Sequence, residues 1–335
     1  MKPQPPHDRE ARTSAYLVLA MVAIVALPAT LTLLRVTHPA KLQPTSSDPT
    51  PYGYTWSLLL FLVPILALSW WFSRNLKYPL PKKAFWWTIG LLTPLGVVLD
   101  FVLGSFILTF DNPKATLGLD IPAIRGSIPI EEYIFYFTGF LTVLLLYVWC
   151  DEYWFSAYNV PDYAEKAKQY PRLVIFHKES LLFGVVLFAV AWIYKKMFST
   201  IPEGFPLYFL FLLIASIVPS TGLFRVTRPF INWRAFSFTM FFVLLVSLLW
   251  EVTLGVPYSW WGYQEWAMMG IFIGAWSALP IEAVCVWVAV TYTTVITFEL
   301  IKIWQATGKP LKTALTGRGP AQSSGDAPLA PGPLN

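Results

Sequence analysis

The sequence predicts an all-α integral membrane protein of about eight transmembrane helices, built as two parallel tandem repeats. Three observations predict it. Charged residues make up 13% of the chain and hydrophobic residues 56%, whereas a soluble domain carries roughly 25% charged residues. Apolar runs of about twenty residues recur, the length that crosses roughly 30 Å of hydrocarbon. The chain also repeats itself at an offset of 151 residues.

Residues 1–13 form a polar start with Lys2, Arg9 and Arg12, and the first run follows from Ser14 to Leu34. That run is long and lacks a clean small-x-small cleavage site, so it reads as a retained anchor rather than a signal peptide. Further runs lie at 55–73, 84–110, 129–150, 179–197, 205–224, 235–255 and 279–301. The apolar segment 266–276 reads as a short re-entrant or interfacial piece. The first repeat then covers 14–150, a cytoplasmic connection 151–178, and the second repeat 179–304. Residues 305–335 are rich in Gly, Pro, Ser and Ala and read as a disordered tail.

The distribution of Lys and Arg sets the expected orientation. Eighteen of the 24 fall in the N-terminus, the loops 74–83, 151–178 and 225–234, and the tail. The other six are Arg35, Lys41, Lys114, Arg125, Lys195 and Lys196. This bias predicts that both termini are cytoplasmic.

Several function classes lose support from composition. The net charge of +5 is spread between apolar runs, so it gives no nucleic-acid footprint. Cys150 and Cys285 stand alone in apolar segments, which supports neither a disulfide framework nor a zinc site. His7, His38 and His177 all fall in polar connections, leaving no histidine ligands for a metal inside the membrane.

The repeat runs without a gap from Pro51 to Glu132, with 14 identities over 82 aligned positions. Pro51-x-Gly53 matches Pro202-x-Gly204, Arg74 matches Arg225, and Ala84-Phe85 matches Ala235-Phe236. Leu103-Gly104 matches Leu254-Gly255, and Pro129-Ile130-Glu131 matches Pro280-Ile281-Glu282. Apolar composition does not place rare Pro, Gly, Arg and Glu in register. Each copy holds an even number of crossings, so the copies are expected to be related by an axis along the membrane normal.

Acids inside apolar runs are the informative residues. Asp100 lies in the third run, with Glu251 at the matching position of the seventh. Glu131 and Glu132 open the fourth. Glu282 opens the eighth, where Ala283 replaces the second acid. An unpaired carboxylate in hydrocarbon is costly, so such residues turn inward and mark function. Asp100 and Glu251 stand roughly 24 Å from the cytoplasmic start of their helices, and Glu131 and Glu282 roughly 28 Å from the cytoplasmic end of theirs. All are thus expected in one layer. Burial without a counter-cation favours the neutral carboxyl, so at least one acid is expected to keep its proton and donate it into an apolar cavity.

Aromatic residues cluster around these acids: Trp250, Tyr258, Trp260, Trp261 and Tyr263 near Glu251, and Tyr133, Phe135 and Tyr136 after Glu131-Glu132. Ring faces stabilise cations by roughly 0.5–2 kcal/mol each. A buried acid, a wall of rings and a second carboxylate suit protonation of an alkene, stabilisation of the carbocation and removal of a proton elsewhere. A belt of Trp and Tyr at the membrane interface is the plainer account of part of the 258–266 cluster.

At Pro129-Ile130-Glu131-Glu132-Tyr133-Ile134-Phe135-Tyr136 the chain resembles the integral-membrane lycopene cyclases, the heterodimeric bacterial type and its fused archaeal and fungal form. Pro280-Ile281-Glu282-Ala283 and Trp250-Glu251 through Trp260-Trp261-Gly262-Tyr263 carry the resemblance into the second half. The resemblance covers about 51–150 and 202–302. It implies cyclisation of carotenoid ends without net redox change by an intramolecular lyase or isomerase. The implied catalytic set is Glu131, Glu132, Glu282, Asp100 and Glu251, and the implied cavity residues are Tyr133, Phe135, Tyr136, Trp250, Trp260, Trp261 and Tyr263. No cofactor is implied, and no G-x-G-x-x-G fingerprint for a flavin occurs. The partners implied are a lipid-soluble polyene, the bilayer and other carotenoid-pathway enzymes. Ala283 and an extra helix before each half depart from the family pattern, which marks a divergent member. The alternatives are a carotenoid or isoprenoid hydratase, another polyene cyclase, and a non-enzymatic membrane carrier with carboxylates at its repeat interface.

Overall fold

The computed structural model describes residues 51–74, 81–160, 163–170, 172–173 and 177–316, with positions 16, 19, 20, 23, 27 and 31. Among the described residues, seven helices are long and apolar enough to cross a membrane. The chain is a multi-pass, all-α membrane protein. The expected first span, 14–34, lies outside the described residues apart from those six positions.

The helices are α1 (Gly53–Arg74), α2 (Lys82–Ile107), α3 (Ile130–Trp149), a short α4 (Tyr163–Lys168) and α5 (Lys178–Met197). They continue with α6 (Leu207–Leu212), α7 (Val218–Thr227), α8 (Trp233–Trp250), α9 (Ile281–Thr307) and a short α10 (Leu311–Thr316). A π-helical turn, Leu213–Ile217, joins α6 to α7 into one span. Two more π-helical turns extend α3 (Cys150–Trp154) and α8 (Glu251–Gly255).

Helices α3 and α9 are central. Helix α3 packs against α1, α2, α8 and α9, and α9 packs against α2, α3, α7 and α8. In lipid, apolar side chains gain little by leaving one apolar phase for another, so close van der Waals packing and small residues carry helix association. The fully buried alanines fit that rule. Ala84 and Ala235, equivalent in the sequence repeat, are both completely buried, as is Ala283. Ser216 and Ser220 meet the Thr293 hydroxyl at 2.5 and 2.8 Å, joining the sixth-to-seventh helical span to α9. Helices α1 and α5 instead expose large residues such as Leu60, Val63, Leu182 and Val185, as lipid-facing helices should.

Short strands finish the end of the bundle where α3 and α9 begin. A hairpin of β2 (Asp120–Pro122) and β3 (Ser127–Pro129) leads into α3. A pair formed by β5 (Phe272–Ile273) and β6 (Leu279–Pro280) leads into α9. Between them, β1 (Leu108–Thr109) after α2 pairs with β4 (Gly262–Tyr263) after α8. Segment 266–276 is therefore a loop of turns and strand, with no helix of spanning length. Pro129 and Pro280 cap α3 and α9 in the same extended conformation, with φ/ψ of −64/147° and −69/146°. A proline there cannot extend the helix backward, so it fixes the start of the helix at the residue before the glutamate.

Two expectations need correction. Residues 305–316 do not begin a disordered tail: α9 runs to Thr307, and α10 returns so that the Leu173 N–H donates to the Ala314 carbonyl at 2.8 Å. Residues 317–335 lie outside the described residues. Glu282 also does not lack a nearby base. Lys195 ends α5 fully buried, its Nζ donating to the Glu265 carbonyl at 3.2 Å, within electrostatic reach of Glu282. A lysine closing an apolar run looks like a flanking interfacial charge, which is why the sequence reading set it outside.

Candidate functional site

All five predicted acids are buried, none more than 5% exposed. The structure sorts them into two kinds. Glu131 and Glu282, the acids of the repeated motif, turn back toward the loops that precede their helices. Glu131 Oε1 accepts hydrogen bonds from the Thr55 hydroxyl at 2.6 Å and the Leu117 N–H at 2.7 Å. Glu282 Oε1 accepts from the Met269 N–H. Each carboxylate thus fastens a loop to the first turn of a helix, where the helix dipole favours negative charge. Two consecutive non-glycine residues just before β6, Ser277 and Ala278, have φ of +56°, a conformation that costs L residues energy and gathers at functional sites.

Glu132 and Glu251 face one another's surroundings across a shared cavity. Its volume is about 60 Å³, and both carboxylates line it together with Phe135, Tyr136, Tyr208, Trp250, Trp261, Tyr263 and Trp287. Glu132 follows Glu131 by one residue, about 100° around the helix, which is why it points inward while its neighbour points to the loop. The Tyr54 hydroxyl, from α1, donates to Glu132 Oε2 at 2.8 Å. Glu251 opens the π-helical turn of α8, a local widening that recurs at functional sites. Its two oxygens accept from the Trp287 indole N–H at 2.7 Å and the Tyr263 hydroxyl at 2.6 Å. Burial, then the neighbouring Glu251 charge, pushes the Tyr263 phenol well above its ordinary range, so it stays a neutral donor.

Asp100 stands one side chain behind the cavity wall. Tyr136, which lines the cavity, donates its hydroxyl to Asp100 Oδ1 at 3.4 Å. Asp100 Oδ2, Glu131 Oε2 and Glu282 Oε2 are buried with no hydrogen-bond partner among the described residues. The repeated Leu-Gly step explains itself here. A Cβ at Gly104 would collide with the Asp100 carboxylate, and one at Gly255 with the Trp261 ring. Both glycines therefore make room for site residues.

Of the predicted aromatic set, Phe135, Tyr136, Trp250, Trp261 and Tyr263 line the cavity, whereas Tyr133 and Trp260 do not. Trp260 and Trp261 are buried in a cluster with Tyr54, Leu58 and Trp250, so the interfacial belt does not describe them. The Tyr54 and Trp261 ring centroids lie 5.1 Å apart, and those of Trp250 and Trp261 4.8 Å apart.

Tyr54, Tyr208 and Trp287 escaped the sequence reading. Trp287 had a signal, because it stands 151 residues after Tyr136, just past the aligned window. A second group also escaped, at the opposite end of α3 and α9. Glu299 is fully buried and accepts from the Tyr147 hydroxyl at 2.9 Å and the Tyr163 hydroxyl at 2.8 Å. Lys302 Nζ lies 3.4 Å from Glu299 and 3.5 Å from Asp151.

A larger apolar groove of about 460 Å³ adjoins the acid cavity. It shares Phe135, Gly139, Trp250 and Trp287 with it. Leu60 and Trp154, also lining the groove, are 75% and 54% exposed on the bundle surface. Thr138 and Thr142 in its wall donate their hydroxyls to the carbonyls of their own helix.

Fold and site together define a multi-pass helical membrane protein with two carboxylates in a ring-lined chamber. No protein-family model, curated protein or solved structure matches the chain.

Proposed function

We propose that this protein is a carotenoid end-group cyclase acting on a lycopene-type polyene. The terminal alkene of the substrate takes a proton. The resulting cation is attacked by the next double bond, closing a six-membered ring, and loss of a different proton restores neutrality. One proton enters and one leaves, so no electrons are exchanged and no redox cofactor is required.

One observation carries this reading: Glu132 and Glu251 share a small chamber walled by rings, beside an apolar groove with which it shares Phe135, Gly139, Trp250 and Trp287. Glu132 is assigned as the donor. The Tyr54 hydroxyl, its hydrogen-bond partner among the described residues, can rotate to give or accept. Glu251, held by two donors, is suited to stay charged, stabilise the cation and receive the released proton. Glu131 and Glu282 take positioning roles. A water-lined polar path would favour a carrier, and an aromatic chamber beside an apolar groove favours the enzyme.

Two parallel repeats belong to the same reading. The carboxylates of Glu131 and Glu282 take loop N–H groups from Leu117 and Met269 in the same manner. Gly126 and Ser277, one repeat offset apart, both have positive φ. The bias of Lys and Arg supports cytoplasmic termini in this reading.

The test is expression of the full chain in a lycopene-accumulating bacterium, followed by pigment chromatography. The reading expects ring-bearing carotenoids in place of lycopene. A hydroxylated linear product would instead mean water capture, and unchanged lycopene would refute cyclase activity.

A further inference from the structure

The acid chamber and the apolar groove meet at one residue without a side chain. Gly139 lies seven residues after Glu132 on α3, two turns along the same face, with Phe135 between them. Phe135 stands edge-on to Trp287, with centroids 5.4 Å apart and planes at 88°, and is tilted against Trp250 at 5.6 Å. These three rings and Gly139 are the residues common to both cavities. The rings occupy their share of the boundary. At Gly139 the boundary is open: among the described residues, a Cβ built there meets no atom within 4 Å apart from its chain neighbours and its own helix backbone. The groove beyond is walled mainly by apolar side chains and ring faces, including Phe61, Trp149 and Phe242, and opens at the surface near Leu60 and Trp154.

We infer that Gly139 is the specificity-determining residue of the site. Its missing side chain leaves the opening through which a rigid conjugated polyene lies along the groove with one end against Glu132. The inference rests on the cyclase reading for the chemistry at that end. The choice of occupant follows from the walls. A headgroup-bearing lipid brings several polar atoms, and the groove meets them with little: its threonine hydroxyls are already committed to helix carbonyls, which leaves the Ser247 hydroxyl. A rod of conjugated carbon needs ring faces and no hydrogen bonds. Position 139 then sets how much chain can extend beyond the reacting end, while the acids set what happens to that end.

The experiment compares wild type, Glu132→Gln, Gly139→Ala and Gly139→Phe, each purified in mild detergent from lycopene-accumulating cells. The readouts are bound pigment per mole of protein, by visible absorbance, and pigment identity by chromatography. Gly139→Ala should lose less bound pigment and ring product than Gly139→Phe, and Glu132→Gln should retain bound linear pigment. Gly139→Phe should lose at least tenfold of both bound pigment and ring product while eluting as a folded, monodisperse protein. Should it fail to elute so, Gly139→Leu provides the same comparison. Pigment retained at wild-type level by the folded bulky variant overturns the inference, as does the absence of pigment from both wild type and Glu132→Gln. If wild type binds lycopene and never cyclises it, while the bulky variant loses it, the cyclase reading fails and the role of Gly139 stands. If rings form equally well in the bulky variant, the reverse holds.

Discussion

The Lys302 ammonium lies 3.5 Å from the Asp151 carboxylate, and the two residues are 151 positions apart, the offset at which the sequence repeats. A residue that touches its own counterpart must lie near the axis relating two copies. Tyr147 and Phe298 share this property, at the same separation, with ring centroids 6.1 Å apart. Both contacts join the α3 span to α9, and they fit the proposed two-repeat arrangement. Under that proposal the offset pairs an acid, Asp151, with a base, Lys302.

Removing Lys302 should therefore destabilise the bundle. Lys302→Met leaves Asp151 and the fully buried Glu299 uncompensated, and breaking a buried pair costs about 3–5 kcal/mol, less here because the lysine is partly exposed. A clear fall in detergent melting temperature is expected. Adding Glu299→Gln should recover part of it. An unchanged melting temperature in the single variant would mean that the network is solvated.

The two adjacent glutamates should behave differently. Glu132→Gln removes one of the two chamber acids, the proposed donor, while keeping shape, and a positioned acid is typically worth 10²–10⁴-fold in rate. Cyclisation should fall by that order in membranes holding equal amounts of folded protein. In Glu131→Gln the amide oxygen can still accept from Thr55 and Leu117, so activity should stay within about tenfold. Glu131→Ala removes the acceptor and should destabilise by about 1–3 kcal/mol, the cost of unsatisfied buried donors. Equal losses of activity in the two Gln variants would contradict the separation of roles.

Glu251 is held by two donors from separate elements, and each can be removed singly. Tyr263→Phe and Trp287→Phe should each weaken the charged form of Glu251 by about 1–3 kcal/mol. Ring formation is expected to drop about tenfold or more in each, with substrate binding retained by the remaining ring. A loss of pigment binding with an unchanged turnover rate would assign these residues to packing instead.

Gly104→Ala tests the placement of Asp100. The added methyl collides with the Asp100 carboxylate, and overpacking of this kind costs about 1–3 kcal/mol. The variant should be less stable, and Asp100→Ala in the same chain should relieve part of the loss. Additive losses in the double variant would show that the two positions do not meet.

How legible this was in the sequence depends on length scale. Each described span begins and ends within six residues of its apolar run, because some twenty apolar residues in a row have few other folded solutions. The acids were visible for the same reason: Asp100 and Glu251 interrupt hydrocarbon. Direction was not visible. Glu131 and Glu132 are neighbours in sequence, and only the pitch of α3 sends one to the loop and the other to the chamber. Glu299 stands near the end of its apolar run and belongs to no repeated motif. Lys195 looked peripheral because helix ends usually are, and Tyr54 and Tyr208 carried no motif at all. Helix α10, six residues long, is below the length at which periodicity separates helix from loop.

The central claim, that a buried carboxyl adds a proton to the polyene while another proton leaves, is tested most directly by isotope. Membranes containing the wild-type chain are incubated with lycopene in D₂O, and the product is weighed by mass spectrometry. The account predicts a cyclised product about 1 Da heavier for each ring formed, with labelling lost in Glu132→Gln because proton transfer itself is lost. Rings that form without uptake of deuterium, or labelled rings at the wild-type rate in Glu132→Gln, would contradict it.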